Sequence, residues 1–81
     1  MPELKLYYKP TCGFCRKVVR FITDNQLPVE LRNVRESSAI WEVFLAATNN
    51  YTQVPCLLID GEPMYESDDI IEWLAANGGK S

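Results

Sequence analysis

The chain reads as an α/β domain of order β-α-β-α-β-β-α, with a four-stranded mixed sheet flanked by helices. Three observations carry this expectation. Apolar residues alternate with polar ones over Leu4–Tyr8 and Val29–Asn33, the period of a half-buried strand. Between and after those segments they recur at helical spacing. Asp60-Gly61 then joins two short apolar runs, a hairpin signal. Strand–helix alternation implies parallel pairing and the hairpin adds antiparallel pairing, hence a mixed sheet.

The elements follow in order. Leu4-Lys5-Leu6-Tyr7-Tyr8 is rich in strand formers and stops at Lys9-Pro10. A helix is predicted from about Gly13 to about Asn25, with Cys15, Val18, Val19 and Ile22 on its apolar face. Asn25 suits its end, and Pro28 forbids continuation. After the second strand, Ser37 or Ser38 caps a helix whose face is Ile40, Val43, Phe44 and Ala47, ending at Asn49-Asn50. Cys56-Leu57-Leu58-Ile59 is short enough for a buried strand, with Glu62-Pro63-Met64-Tyr65 as its antiparallel partner. Ser67 caps the last helix, where Asp68 and Asp69 meet the positive end of the dipole. Its apolar side is Ile70, Ile71, Trp73 and Leu74, and Asn77-Gly78-Gly79 ends it.

With 81 residues, the chain reads as one domain over 1–81, without room for a separate substrate domain. No run of 18 apolar residues occurs, so no membrane span is expected. The N-terminus lacks the pattern of a signal peptide, and three cysteines do not suit a secreted disulfide scaffold. A cytoplasmic location is the expectation. Charge is uneven: residues 1–35 sum to +4 and residues 36–81 to −7. A net-acidic chain without a basic run of five residues argues against nucleic-acid binding.

Cys12-Gly13-Phe14-Cys15 falls where the first strand gives way to a helix. Unpaired N–H groups and the helix dipole there stabilise a thiolate on Cys12, and Lys9 adds positive charge. Cys15, one turn later, is more buried; Cys12 attacks and Cys15 resolves. A zinc site needs four ligands, whereas the chain offers three cysteines and no histidine. Val54-Pro55 reads either as an ordinary strand-start proline or as a cis peptide turning the Val54 backbone toward a substrate peptide. Tyr65-Glu66-Ser67-Asp68 is either a plain helix start or a carboxylate site at exposed N–H groups, with Glu66 or Asp68 accepting from an ammonium. Cys56 reads as a small buried strand residue or as a third redox thiol.

Lys9-Pro10-Thr11-Cys12-Gly13-Phe14-Cys15 resembles the active-site segment of the glutaredoxins, and the element string resembles the thioredoxin fold. Val54-Pro55 is similar to that family's Thr-Val-Pro, and Ser67-Asp68-Asp69 to its later Cys-Asp-Asp segment. Gln53 stands in place of threonine, however, and Tyr65-Glu66 in place of Gly-Gly. Gln53-Val54-Pro55 through Glu66-Ser67 resembles instead the N-terminal domain of glutathione S-transferases.

Both resemblances imply glutathione as the ligand. The glutaredoxin resemblance implies a monomeric thiol–disulfide oxidoreductase that uses glutathione as co-substrate and acts on disulfide-containing or glutathionylated proteins. Cys12 would be the nucleophile and Cys15 the resolving thiol. Lys9, Thr11, Phe14, Gln53, Val54, Pro55, Glu66, Ser67 and Asp68 would bind glutathione. Gly13-Phe14 is also similar to the Cys-Gly-Phe-Ser glutaredoxins, which implies a [2Fe–2S] carrier bridging two subunits as an alternative. A thioredoxin-like reductant recharged by a flavoprotein reductase is the other.

Overall fold

The computed structural model describes residues 3–78, so the predicted stop at Gly79 lies outside the described residues. In chain order the elements are β1 (Leu4–Tyr8), α1 (Gly13–Asp24), β2 (Glu30–Asn33), α2 (Ser38–Ala47), β3 (Cys56–Ile59), β4 (Glu62–Met64) and α3 (Ser67–Trp73). A π-helical stretch, Leu74–Gly78, follows. The sheet runs β2-β1-β3-β4: β1 pairs parallel with β2 and antiparallel with β3, and β4 is antiparallel to β3. This is the thioredoxin-like mixed sheet that the sequence predicts. Among the described residues no helix is long and apolar enough to cross a membrane.

The period of two along the central strands divides the core between two layers. Leu4, Leu6 and Leu57 pack with Val18 and Ile22 of α1 and with Ile70 of α3 and Leu74. Tyr7, Cys56 and Leu58 pack instead with Val34 and with Phe44 of α2, where the Tyr7 and Phe44 rings stack at 5.2 Å. Burial of each large apolar side chain contributes about 1.5–3 kcal/mol. Cys56 therefore lies in the α2 layer and Cys15 on α1.

Local chemistry sets the boundaries. Ser37 caps α2, its Oγ accepting from the Ile40 N–H at 3.2 Å. Beyond α1, Gln26 (φ 51°) takes the left-handed position, and the Leu27 N–H reaches the Ile22 carbonyl at 3.0 Å. Asn49 (φ 54°) does the same after α2, with the Asn50 N–H on the Leu45 carbonyl at 2.8 Å. At the hairpin, Asp60 and Gly61 have φ of 50° and 88°, the positive pair that a tight two-residue turn requires.

Helix α2 stops as predicted, with Thr48 as its cap and Asn49 in the left-handed position just beyond. Two expectations need correction. Val43, predicted on the apolar face of α2, is 49% exposed, because Ile40, Phe44 and Ala47 already fill the inward stripe. Ser67 is the first residue of α3 and is buried; Glu66 holds the cap position, without a side-chain cap bond.

Candidate active site

Cys12 is the N-cap of α1, extended at φ −88° and ψ 122°. A turn closed by the Cys12 N–H on the Lys9 carbonyl (3.1 Å) brings the chain from β1 into the helix. The Cys12 carbonyl accepts the Arg16 N–H at 3.0 Å, and its Sγ accepts the Cys15 N–H at 3.4 Å. A sulfur thus occupies the place that a serine or aspartate oxygen takes at an ordinary helix start. The Lys9 N–H in turn reaches Cys15 Sγ at 3.5 Å. Both cysteines are free thiols; Cys12 is half-buried and Cys15 fully buried.

The two thiols are driven apart in acidity. Partial burial opposes ionisation of Cys12, but the Cys15 N–H, the Cys15 thiol, the Phe14 N–H and the Lys9 ammonium together hold it below the ordinary cysteine value. Burial pushes Cys15 up to about 12, and the neighbouring Cys12 pushes the same way. One sulfur ionises more readily than a free cysteine and the other is held as a thiol. Cys56 is also buried and pushed up to about 11, chiefly by burial, with the Tyr65 hydroxyl beside it. Its place in the α2 layer fits a small core residue.

Seven of the nine non-cysteine residues predicted for the site line one groove of about 250 Å³: Phe14 from α1, Gln53-Val54-Pro55 before β3, and Glu66-Ser67-Asp68 at α3. Lys9 and Thr11 flank Cys12 and do not line it. The Val54-Pro55 peptide is cis. Phe14 is 68% exposed at the rim. A larger hollow of about 750 Å³ runs along the other flank of α1, past Pro10, Gly13, Arg16 and Arg20.

Two groups at the groove already have protein partners. Asp68 accepts from the Lys17 ammonium, tying α3 to α1 in an exposed ion pair. Glu66 has φ 71° and ψ 114°, a rare backbone state for a residue with a Cβ, and its Oε1 accepts from Gln53 Nε2 at 3.1 Å. Gln53 Oε1 accepts from the Tyr51 hydroxyl at 2.9 Å. Neither Lys17 nor Tyr51 belongs to a motif. The available signal was that Tyr51, two residues before Gln53 in an extended segment, shares its side of the chain.

Among solved structures, the chain is similar to an unclassified glutathione S-transferase from Bombyx mori, 28% identical with a TM-score of 0.78, covering 98% of this chain and 37% of that one. The chain thus spans little more than a third of that transferase. A thioredoxin-like protein is 27% identical with a TM-score of 0.73, covering 91% of this chain and 97% of that one. Glutaredoxin C1 from Populus tremula x tremuloides is 22% identical with a TM-score of 0.66 over 93% of this chain and 76% of that one, a likeness of fold alone. No curated protein sequence matches. Residues 6–81 match the sequence profile described as glutathione S-transferase, N-terminal domain, and the chain belongs to that family.

Proposed function

We propose that the protein is a glutathione-dependent thiol–disulfide oxidoreductase. The observation that carries this reading is the split between the two cysteines. Cys12 at the start of α1 is held toward thiolate by the Cys15 N–H at 3.4 Å, while Cys15 is buried and kept protonated. A conjugating site needs to ionise glutathione's own thiol; a protein thiolate backed by a second cysteine suits disulfide exchange.

In the proposed cycle, the Cys12 thiolate attacks the glutathione sulfur of a protein–glutathione mixed disulfide. That S–S bond breaks, the protein leaves as a thiolate that takes a proton from water, and Cys12 carries the glutathione. A second glutathione thiolate attacks the bound glutathione's sulfur, freeing Cys12 and releasing oxidised glutathione. For a protein disulfide, Cys12 forms the mixed disulfide; Cys15 loses its proton, attacks Cys12 Sγ and expels the second substrate thiolate. Two glutathione thiols then reduce the Cys12–Cys15 disulfide. The groove between Phe14 and Glu66-Ser67-Asp68 would hold the tripeptide, its γ-glutamyl end at α3 and its glycine end toward Lys9.

A [2Fe–2S] carrier bridging two subunits is told apart by a visible absorbance spectrum after anaerobic reconstitution, together with the oligomeric state. Family membership favours a second reading, transfer of glutathione to an electrophile. Turnover of hydroxyethyl disulfide with glutathione, beside conjugation of chlorodinitrobenzene, decides between them. The oxidoreductase reading expects disulfide turnover that Cys12→Ser abolishes and Cys15→Ser retains for mixed disulfides. Undiminished turnover in Cys12→Ser overturns it, and oxidised protein that glutathione cannot reduce points to a flavoprotein reductase instead.

A further inference from the structure

The hydrogen-bond chain that ends on Glu66 begins outside the groove. Tyr51 is 51% exposed, yet it is anchored at three points. Its carbonyl lies 2.7 Å from the hydroxyl of buried Thr48. Its ring meets the Tyr65 ring edge-on at 4.8 Å between centroids. Its hydroxyl donates to Gln53 Oε1 at 2.9 Å.

A primary amide has an accepting end and a donating end, whereas a tyrosine hydroxyl can donate or accept. The Glu66 carboxylate accepts only, so it takes Gln53 Nε2 at 3.1 Å and leaves Oε1 for the Tyr51 proton, which holds the far end of the amide in place. A flipped amide would set its oxygen against a carboxylate that accepts only. Among the described residues this is the one side-chain hydrogen bond that Glu66 makes. Its backbone sits at φ 71° without a side-chain cap, so nothing else in this set of contacts orients its second oxygen.

We infer that Tyr51 is a positioning residue that sets selectivity for a ligand with a free α-ammonium group, acting through Gln53 on the Glu66 carboxylate. The inference rests on the glutathione reading and takes Glu66, one of the two carboxylates that reading offers to the γ-glutamyl ammonium, as the acceptor. It goes beyond that reading by assigning a role to a residue outside the groove. Tyr51 touches no ligand; it keeps one acceptor aimed where a charged amine would sit. Aiming that acceptor in advance lowers the ordering cost of binding.

The test uses the full chain and two redox-inert probes, S-methylglutathione and its N-acetyl derivative, whose amine is masked. Binding is measured by titration calorimetry. Tyr51→Phe is expected to weaken S-methylglutathione about 3- to 10-fold, the effect of losing one net hydrogen bond. It should leave the acetylated probe unchanged. In a Gln53→Ala background the same substitution should change affinity less than about 2-fold, because the relay is already broken. Gln53→Ala alone leaves the Tyr51–Tyr65 ring contact in place and should show the same loss of preference. It therefore reads the relay even where Tyr51→Phe fails to fold. Equal losses for both probes, additive effects of the two substitutions, or full affinity in Tyr51→Phe overturn the inference while the glutathione reading stands. A wild-type chain that binds neither probe overturns both.

Discussion

The backbone N–H of Cys15 donates to Cys12 Sγ at 3.4 Å, so the second cysteine of the motif acidifies the first. The coupling is geometric: a sulfur at the N-cap meets the N–H three residues on, and in a Cys-x-x-Cys segment that N–H belongs to the second cysteine. Alkylation reads the consequence directly. With iodoacetamide at neutral pH, Cys12 is expected to react and Cys15 and Cys56 to stay protected until the chain unfolds. The midpoint of rate against pH should fall below 9.0, the ordinary cysteine value. Lys9→Gln should move it upward, because the lysine ammonium is one of the stabilising charges. Peptide mapping of the alkylated protein identifies the site, and label on Cys15 in the folded chain would contradict the assignment.

Much of this was legible in the residues because each signal was local. The period of two through Leu4–Tyr8 also decides which core layer each side chain joins. The helix start at Cys12 and the hairpin at Asp60-Gly61 depend on a handful of neighbours. Val43 stays exposed because three turns of helix offer more apolar residues than the α2 layer has room for. Serine prefers a cap position, but burial of the Ser67 side chain at the groove leaves Glu66 at the cap with positive φ. The Gln53–Glu66 bond joins residues 13 apart across two loops, which no periodicity encodes, and only the Tyr51–Gln53 step of that chain is local.

Glu66 ties backbone cost to function. A residue with a Cβ at φ 71° carries a penalty of about 1–2 kcal/mol that glycine avoids. Glu66→Gly removes that penalty together with the exposed bond to Gln53. The net expectation is a stability equal to wild type or about 1 kcal/mol higher. Binding of S-methylglutathione should weaken in the same variant. Thermal melts and titration on one sample check that the two quantities move in opposite directions.

The Lys17–Asp68 pair gives a prediction with the reverse sign. Both side chains are largely exposed, so the pair contributes no more than about 1 kcal/mol to stability. If Asp68 serves the γ-glutamyl ammonium, Lys17 competes for it. Lys17→Gln should therefore cost little stability and lower the KM for glutathione, whereas Asp68→Asn should raise it. Steady-state kinetics with hydroxyethyl disulfide distinguish these outcomes, and a raised KM in Lys17→Gln would count against Asp68 as a ligand-binding group.

Cys56 offers a test of the core by pH. Burial holds its folded-state value at about 11 against 9.0 in an open chain. Between those values the unfolded chain loses the proton while the folded chain keeps it. The unfolded state then binds fewer protons, and unfolding free energy falls as pH rises. The contribution is complete below pH 9 and lost as pH approaches 11. Cys56→Ala removes one buried heavy atom, costing about 1 kcal/mol at neutral pH, and removes that part of the slope. Urea melts at pH 7, 9 and 10.5 with a phosphine reductant should show the wild-type advantage shrinking as pH rises. Cys15, pushed up to about 12, titrates in both proteins and cancels in the difference. Tyr65 is pushed up by burial and in part by Cys56 itself, so Cys56→Ala removes that part of its slope along with the thiol's own. An advantage that stays constant across the three pH values would mean that the Cys56 thiol ionises as readily in the folded chain as in the open one.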